Sequence, residues 1–430
     1  MDYRTKIHNL IPGGAHTYSR GDDGYPGNAP PVLSHGKGCY VFDADGNKYL
    51  DYGMGLRSVT VGYAYEPIMR AAIDEIEKGN NLPRASLTEL KAAEVLVDLI
   101  PCADMVKFAK NGSTVTTAAL KLARAYTGRK YVAVCADHAF FSYDDWFIGS
   151  TPMNRGIPEE VRSLTLKFRY NDINSLRHLF ESFPGQIAAV ILEPVVNDEP
   201  RDNFLKKLKD LCEKEGAVLI FDEMITGFRW HLNSAQKYFG VLPDLATYGK
   251  GMANGFSVSA LVGRREIMDL GGIMNEGEER VFLISTTHGA EMCGLGALIK
   301  SIEVYKELDV VGHMWEYGRK LMDGMNTISE ELGIMDCFYL EGYPCSPSYV
   351  AKDMKGNISM ELRTLFSQEM IANNVLIPWI ALSYAHKDEE LEMTLEATRK
   401  VLKLYSLALD KGAEKYIKGR VLKPVFRKYN

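Results

Sequence analysis

The sequence predicts an α/β protein: a large domain with a mostly parallel sheet flanked by helices, and a smaller α+β domain. Three observations predict it. From about residue 105 to 300, short apolar runs alternate with stretches of helical period. Several of the runs are apolar at consecutive positions, as strands are when helices cover both faces. After about residue 300 the alternation gives way to long helices.

Residues 1–35 are rich in Gly, Pro and polar side chains and are expected to lie extended over the surface. Cys39–Phe42 and Lys48–Asp51 read as strands around the turn Asp43-Ala44-Asp45-Gly46, a hairpin signal. Helical periodicity covers Pro67–Lys78 and Leu87–Leu99. Strands are expected at Met105–Phe108, Tyr131–Val134, Ala188–Leu192 and Ala217–Phe221, with helices at 115–126, 173–183 and 202–215 between and around them. In the last long helix Leu391, Leu395, Thr398 and Leu402 fall on one face. The expected division is 1–60 (N-terminal segment and hairpin, part of the small domain), 61–305 (large cofactor-binding domain) and 306–430 (C-terminal small domain).

Size and composition agree with a folded multidomain chain: 430 residues, 46% hydrophobic and 25% charged. A net charge of −6 argues against nucleic acid or an anionic membrane as the main partner. No signal peptide or membrane-length apolar stretch is read in the sequence. The seven cysteines are scattered and form no Cys-x-x-Cys pair, so free thiols, a cytoplasmic location and no metal site are expected.

The chemistry-bearing residues cluster after the predicted strands. Asp222 closes the run Leu219–Phe221, and Lys250 sits between Gly249 and Gly251. Pyridoxal phosphate (PLP) needs such a pair: an amine to engage its aldehyde and a carboxylate to keep its ring nitrogen protonated. Each residue alone has an ordinary explanation, a helix cap or a solvated loop lysine. Gly112-Ser113-Thr114 opens a helix after a strand and offers free amides, hydroxyls and the positive end of a dipole, which suits phosphate and equally a plain N-cap. It is neither a Walker loop nor Gly-x-Gly-x-x-Gly, which disfavours a nucleotide. Phe140 and Phe141 follow the next strand, where an aromatic can stack on a flat ring or pack in the core. Glu193 places a carboxylate at the end of the Ala188–Leu192 strand, on the edge where open α/β sheets bind ligands. Ser285–Gly289 is a second phosphate contact or a capped turn. His138 and Arg229 are expected to be structural or solvated, and Lys206-Lys207-Leu208-Lys209 to be the wet face of a helix.

These segments carry a resemblance. Ile11–Gly14, Asp43–Tyr52, Asn111–Thr114 with Ala123–Arg129, Glu193-Pro194, Phe221–Arg229 and Gly249–Gly251 together resemble the class III (subgroup II) aminotransferases of PLP fold type I, including those similar to glutamate-1-semialdehyde 2,1-aminomutase. The likeness spans about Ile11 to Leu409, and Phe-Asp-Glu-x-x-Thr-Gly-Phe-Arg followed by the lysine is its most specific part. The resemblance implies that Lys250 forms the Schiff base and carries protons, and that Asp222 partners the pyridine nitrogen. It implies that Gly112, Ser113 and Thr114 hold the phosphate, that Phe140 stands at a stacking position, and that Glu193 approaches the cofactor's hydroxyl side. Thr286 would reach the phosphate of a neighbouring subunit, implying a homodimer with shared active sites. Arg20 matches an arginine that holds a substrate carboxylate, and Arg57 adds a second cation beside the substrate positions. The implied reaction moves an amino group from a small-molecule donor, such as glutamate, to an aldehyde or ketone acceptor, by a ping-pong cycle through the pyridoxamine form (PMP).

The departures fall on substrate-facing segments. Phe140-Phe141-Ser142 replaces the usual Tyr-His-Gly. Leu56 stands where the aminomutase has a pocket tryptophan. Pro378–His386 is shorter than its counterpart and lacks the acidic residue, and the chain runs past the usual end to Asn430. An aminotransferase on a different substrate is the expectation, with an intramolecular aminomutase as the alternative and a non-catalytic PLP-fold binding module as a third reading.

Overall fold

The computed structural model describes residues 2–430. The chain divides into two compact units, one of residues 1–65 with 312–427, the other of residues 66–311 with 428–430.

The second unit is built on a seven-stranded sheet in the order Met105–Ala109, Ser259–Gly263, Leu245–Tyr248, Val218–Asp222, Ile187–Leu192, Tyr131–Cys135, Thr165–Phe168. Ser259–Gly263 runs antiparallel to both neighbours; the other pairs are parallel. Every residue of Ile187–Leu192, Val218–Asp222 and Leu245–Tyr248 is buried, which explains why the first two read as unbroken apolar runs. Register sets Asp222 beside Thr247 and Leu192 beside Phe221, so the residues that end these strands share one edge of the sheet. The predicted strands at 105–108, 131–134, 188–192 and 217–221 are all present. Thr165–Phe168, Leu245–Tyr248 and Ser259–Gly263 were not foreseen. In the helix Phe204–Glu215, Lys206 and Lys207 are exposed as expected, but Lys209 is not a wet-face residue. Its Nζ lies 2.9 Å from the buried Asp244 carboxylate, which also accepts from the Leu219 amide.

The helix Gly112–Thr127 follows the Met105–Ala109 strand. It starts at Asn111, whose side chain accepts from the Thr114 amide at 3.0 Å, and stops at Gly128, in the left-handed region at φ 68°. Its buried face runs through Val115, Ala118, Ala119, Leu122 and Ala123.

The first unit carries a four-stranded sheet, Leu33–Lys37, Tyr40–Asp43, Lys48–Asp51 and Val375–Leu376, antiparallel except for the last pair. The predicted hairpin is present, its turn held by Asp43 Oδ1 accepting from the Asp45 and Asn47 amides. The helix Asp388–Lys411 buries Leu391, Thr398 and Leu402 on the predicted face. The expectation of an extended N-terminus is corrected: Tyr3–Leu10 is a helix and three short helical turns follow it. The Asp2 side chain caps the helix by accepting from the Thr5 amide, and Arg4 donates to the Gly27 and Ala29 carbonyls. A short polar stretch becomes helical here because its cap and its tertiary anchor are both supplied.

Asn111→Ala removes the cap of the Gly112–Thr127 helix. Urea denaturation is expected to show a loss of about 1 kcal/mol, with the m-value unchanged.

Candidate active site

The site grows from Asp222. Its carboxylate is buried at the end of the central strand, and Oδ1 accepts from the Met224 amide at 3.0 Å and Thr247 Oγ1 at 3.2 Å. Among the described residues, Oδ2 accepts no hydrogen bond. Burial pushes the carboxyl well above its ordinary range, and the Lys250 ammonium is the first group pulling it back. The strand end is therefore a negative charge in a dry setting with one open acceptor, and it calls for a cationic N–H partner.

Lys250 follows the adjacent strand and is half-buried, with φ of 44°, a left-handed conformation uncommon for a residue with a side chain. The Asp222 loop packs against both neighbouring segments through Met224. A Cβ at Gly249 would meet Met224 Sδ at 2.8 Å, and one at Gly112 would meet the same sulfur at 3.0 Å. Glycine at these two positions lets the Lys250 loop, the Asp222 loop and the start of the Gly112–Thr127 helix close on one sulfur.

Behind this layer lies a polar network. Glu223 is buried and accepts from the Ala235 amide at 2.7 Å, the Gln236 amide at 3.2 Å, Thr226 Oγ1 at 3.0 Å, Tyr248 OH at 3.2 Å and the Ser234 hydroxyl. It ties the residue after Asp222 to the residue two before Lys250, fixing the spacing of the pair from below. Arg229 is fully buried, the structural residue that was expected.

At the helix start the Thr114 amide is already taken by Asn111, and Thr114 Oγ1 also lies 3.1 Å from the Asn111 side chain. The amides of Gly112 and Ser113 belong to the first turn, which has no intrahelical acceptor for them. Ser113 Oγ accepts from the Tyr143 amide at 2.9 Å, which leaves its own proton to donate. That bond, with Thr116 Oγ1 donating to the Phe141 carbonyl at 3.0 Å, fastens the loop after Cys135 onto this helix. The loop separates its two aromatics: Phe141 is buried in the core, while Phe140 is 48% exposed, its ring edge-on to Phe147 at 5.8 Å.

Glu193 is buried at the end of the Ile187–Leu192 strand, and its amide donates to His138 Nδ1 at 3.1 Å. Burial pushes His138 down to about 4, so the ring is neutral and Nδ1 is the acceptor. His138 has a structural role, as expected, and that role is to hold the backbone of Glu193. Thr286 lies exposed in the turn before the helix Met292–Leu308, where the Gly289 amide donates to its carbonyl.

Asp222, Lys250, Gly112–Thr114, Phe140, Glu193 and Thr286 all belong to the second unit; Arg20 and Arg57 belong to the first. Arg20 lines a 580 Å3 cavity with Asp51, Tyr25, Tyr63, Leu56 and Trp379. Arg57 donates to Ser346 Oγ at 2.7 Å and to the Ile380 carbonyl at 3.1 Å. It ends an unusual turn: Met54, Gly55, Leu56 and Arg57 all have positive φ, between 39° and 67°. Asp51, fully buried, holds this turn by accepting from the Gly53 and Met54 amides and from Tyr63 OH, and Tyr63 OH accepts from the Gly55 amide.

Thr247 and Met224 are contributors the sequence did not single out. Thr247 becomes visible once register sets it opposite Asp222, and the short strand bearing it had not been recognised.

The donor set fits PLP. The open Oδ2 of Asp222 suits a protonated ring nitrogen, the Ser113 hydroxyl and first-turn amides suit a phosphate, and Lys250 lies within electrostatic reach of Asp222. A family profile for class III aminotransferases matches residues 25–336, and the chain belongs to that family. The chain is 33% identical over 403 residues to a 3-aminobutyryl-CoA aminotransferase of Cloacimonas acidaminovorans, covering 91% of this chain and 94% of the relative. It is 32% identical over 404 residues to a glutamate-1-semialdehyde 2,1-aminomutase of Acetivibrio thermocellus, covering 90% and 93%. The fold superposes on the PLP-bound FumI protein of Sphingopyxis sp. MTA144 with a TM-score of 0.85 at 26% identity, covering 96% and 97% of the two chains. The protein is thus a PLP-dependent enzyme of fold type I. Among the described residues, no cluster of His, Cys, Asp or Glu could hold a metal ion, and no helix is long and apolar enough to cross a membrane.

A raised carboxyl binds more protons folded than unfolded, so the cofactor-free protein loses stability as pH rises from the ordinary aspartate value of about 4 through the raised value of Asp222. Thermal melts of the apoprotein are therefore expected to show Asp222→Asn gaining on wild type at pH 7.5 and matching it at the acid end. The same substitution should weaken retention of PLP.

Proposed function

We propose that this aminotransferase transfers an amino group from a small amino acid or amine to an aldehyde or ketone, using Lys250 and Asp222 as its catalytic pair. The observation that carries the reading is the open, buried acceptor of Asp222 on the same sheet edge as Lys250 and the anion-ready helix start. When bound, PLP supplies an electron sink for the pair left behind when the substrate Cα–H bond breaks. Asp222 keeps the ring nitrogen protonated, and its dry surroundings strengthen that attraction. The Ser113 hydroxyl and the Gly112 and Ser113 amides hold the phosphate at the positive end of the helix dipole, with Thr114 completing the turn. Lys250 Nζ would be the amine that holds the cofactor and, beside a bound substrate, the base that takes the proton from Cα. Phe140 presents an apolar face where the family's usual phenol is absent, and Glu193 supplies a carboxylate held by His138 through its backbone.

A homodimer with shared sites is part of this reading. Thr286 has its side chain in solvent, and the same stretch exposes Ile273, Met274 and Phe282, apolar surface that a second subunit would cover. Seven free thiols suit the reducing cytoplasm. The relatives' names bracket the chemistry between intermolecular transfer and an internal exchange of amino group and carbonyl. We favour transfer because the departures at Leu56 and 378–386 fall on substrate-facing segments.

Purified protein given PLP is expected to show a visible chromophore that Lys250→Ala abolishes; a wild type that stays colourless sinks the cofactor assignment. A half-reaction screen of amines, with 3-aminobutyryl-CoA and glutamate among them, should bleach that chromophore and release an oxo product. Turnover of a single amino-aldehyde with no external donor would instead establish the aminomutase reading. Sedimentation is expected to give a dimer, and Thr286→Ala to loosen PLP by about tenfold, the loss of one hydrogen bond to a charged group.

A further inference from the structure

Arg20 is exposed, lines the cavity of the first unit, and pairs with no carboxylate among the described residues. Asp22 and Asp23 follow it at once, yet neither carboxylate pairs with it. Both acids are taken by residues remote in sequence. Arg420 lies 2.8 Å from Asp22 Oδ1 and donates to the Asp22 carbonyl as well. Arg4 Nε lies 2.8 Å from Asp22 Oδ2, a charge contact with its N–H out of line for a hydrogen bond. His8 Nε2 lies 3.4 Å from the same oxygen. Asp23 accepts from Arg427 through its carboxylate and from the Lys423 amide through its carbonyl. Burial works to raise the Asp22 carboxyl, and Arg420 and Arg4 outweigh it, holding it below its ordinary value.

The segment bearing Arg420 and Arg427 is itself anchored. Gln368 Oε1 accepts from the Lys418 amide at 2.6 Å, and Thr364 Oγ1 accepts from the Leu422 amide at 3.0 Å. Leu422 is buried. The arginines are thus presented to Asp22 and Asp23 from a fixed strap packed on the helix Met360–Ala372.

We propose that Arg420 and Arg427 are positioning residues for substrate recognition: by occupying Asp22 and Asp23 they leave Arg20 an uncompensated cation, free to take an anionic group of the substrate. The inference rests on the reading of Arg20 as the substrate-anion residue. Released from the strap, Asp23 would be left without its arginine and Asp22 with only Arg4 and His8; carboxylate charge freed in the turn after Arg20 would then neutralise it, and the cavity would lose attraction for anions while the PLP machinery stayed intact.

The test titrates the visible chromophore of the PLP-loaded enzyme with 4-aminobutyrate, 2-aminoethyl phosphate and butylamine, giving an apparent Kd and a limiting bleaching rate for each. The two anionic probes distinguish a carboxylate site from a phosphate site. In Arg420→Gln/Arg427→Gln the apparent Kd for the favoured anion is expected to rise about tenfold, with the limiting rate and the butylamine response unchanged. Adding Asp22→Asn and Asp23→Asn to that variant should return the Kd toward wild type, which a purely structural strap would not do. Should the double variant fail to fold, Arg427→Gln alone gives the same readout on Asp23. Arg20→Gln in the wild-type background separates the two failures. If it leaves the anion Kd unchanged, the reading of Arg20 falls and the strap proposal with it. If it raises the Kd while the strap variants do not, or while the asparagines give no rescue, the strap proposal falls alone.

Discussion

The attraction between a carboxylate out of water and the cations it is built to meet governs the second unit. Asp222 cannot sit ionised at the end of a fully buried strand without a counter-charge, and in the cofactor-free protein Lys250 is the foremost cation beside it. The surrounding arrangement serves that pairing. Thr247 and the Met224 amide fix one carboxylate oxygen, Met224 locks three loops together, and Glu223 braces Asp222 and Lys250 from the layer beneath. The site is preorganised because its polar groups are anchored by other buried polar groups rather than by solvent.

Most of the large unit was legible in the sequence, for a physical reason. Strands covered on both faces must be apolar at every position, so Ile187–Leu192 and Val218–Asp222 announce themselves. Leu245–Tyr248 does not: it has four residues, contains Thr247 and follows Pro243. Ser259–Gly263 is punctuated by small residues and runs against its neighbours. The proposed catalytic pair could be picked out because the chemistry asked of Asp222 and Lys250 has fixed requirements. Thr247 was not singled out, and the hold of His138 on Glu193 was not foreseen, since these contacts exist only through register and through a backbone amide. The N-terminal segment misled because its helix depends on remote anchors at Gly27 and Ala29.

His138 and Glu223 are scaffolding. His138 is held neutral, so it can accept a hydrogen bond from Glu193 and carry no proton of consequence near neutral pH. Glu223, adjacent to Asp222, is surrounded by donors. Neighbouring acids in the Phe-Asp-Glu string thus have opposite settings: Asp222 accepts two hydrogen bonds, both on one oxygen, and Glu223 is closed in by the fold.

The left-handed turn at Met54–Arg57 has a consequence for how this cavity can change. Residues of that hand cost about 1–2 kcal/mol each where a side chain is present, offset in part by the Arg57 side chain, which donates to Ser346 and to the Ile380 carbonyl. Its shape is dictated from outside, by the buried Asp51 and by the Tyr63 hydroxyl. The backbone is therefore a socket cut independently of what is plugged into it. Leu56, on the cavity wall, can be exchanged for a larger or smaller group without redrawing the path of the chain, so the size of the cavity can drift while its frame stays put.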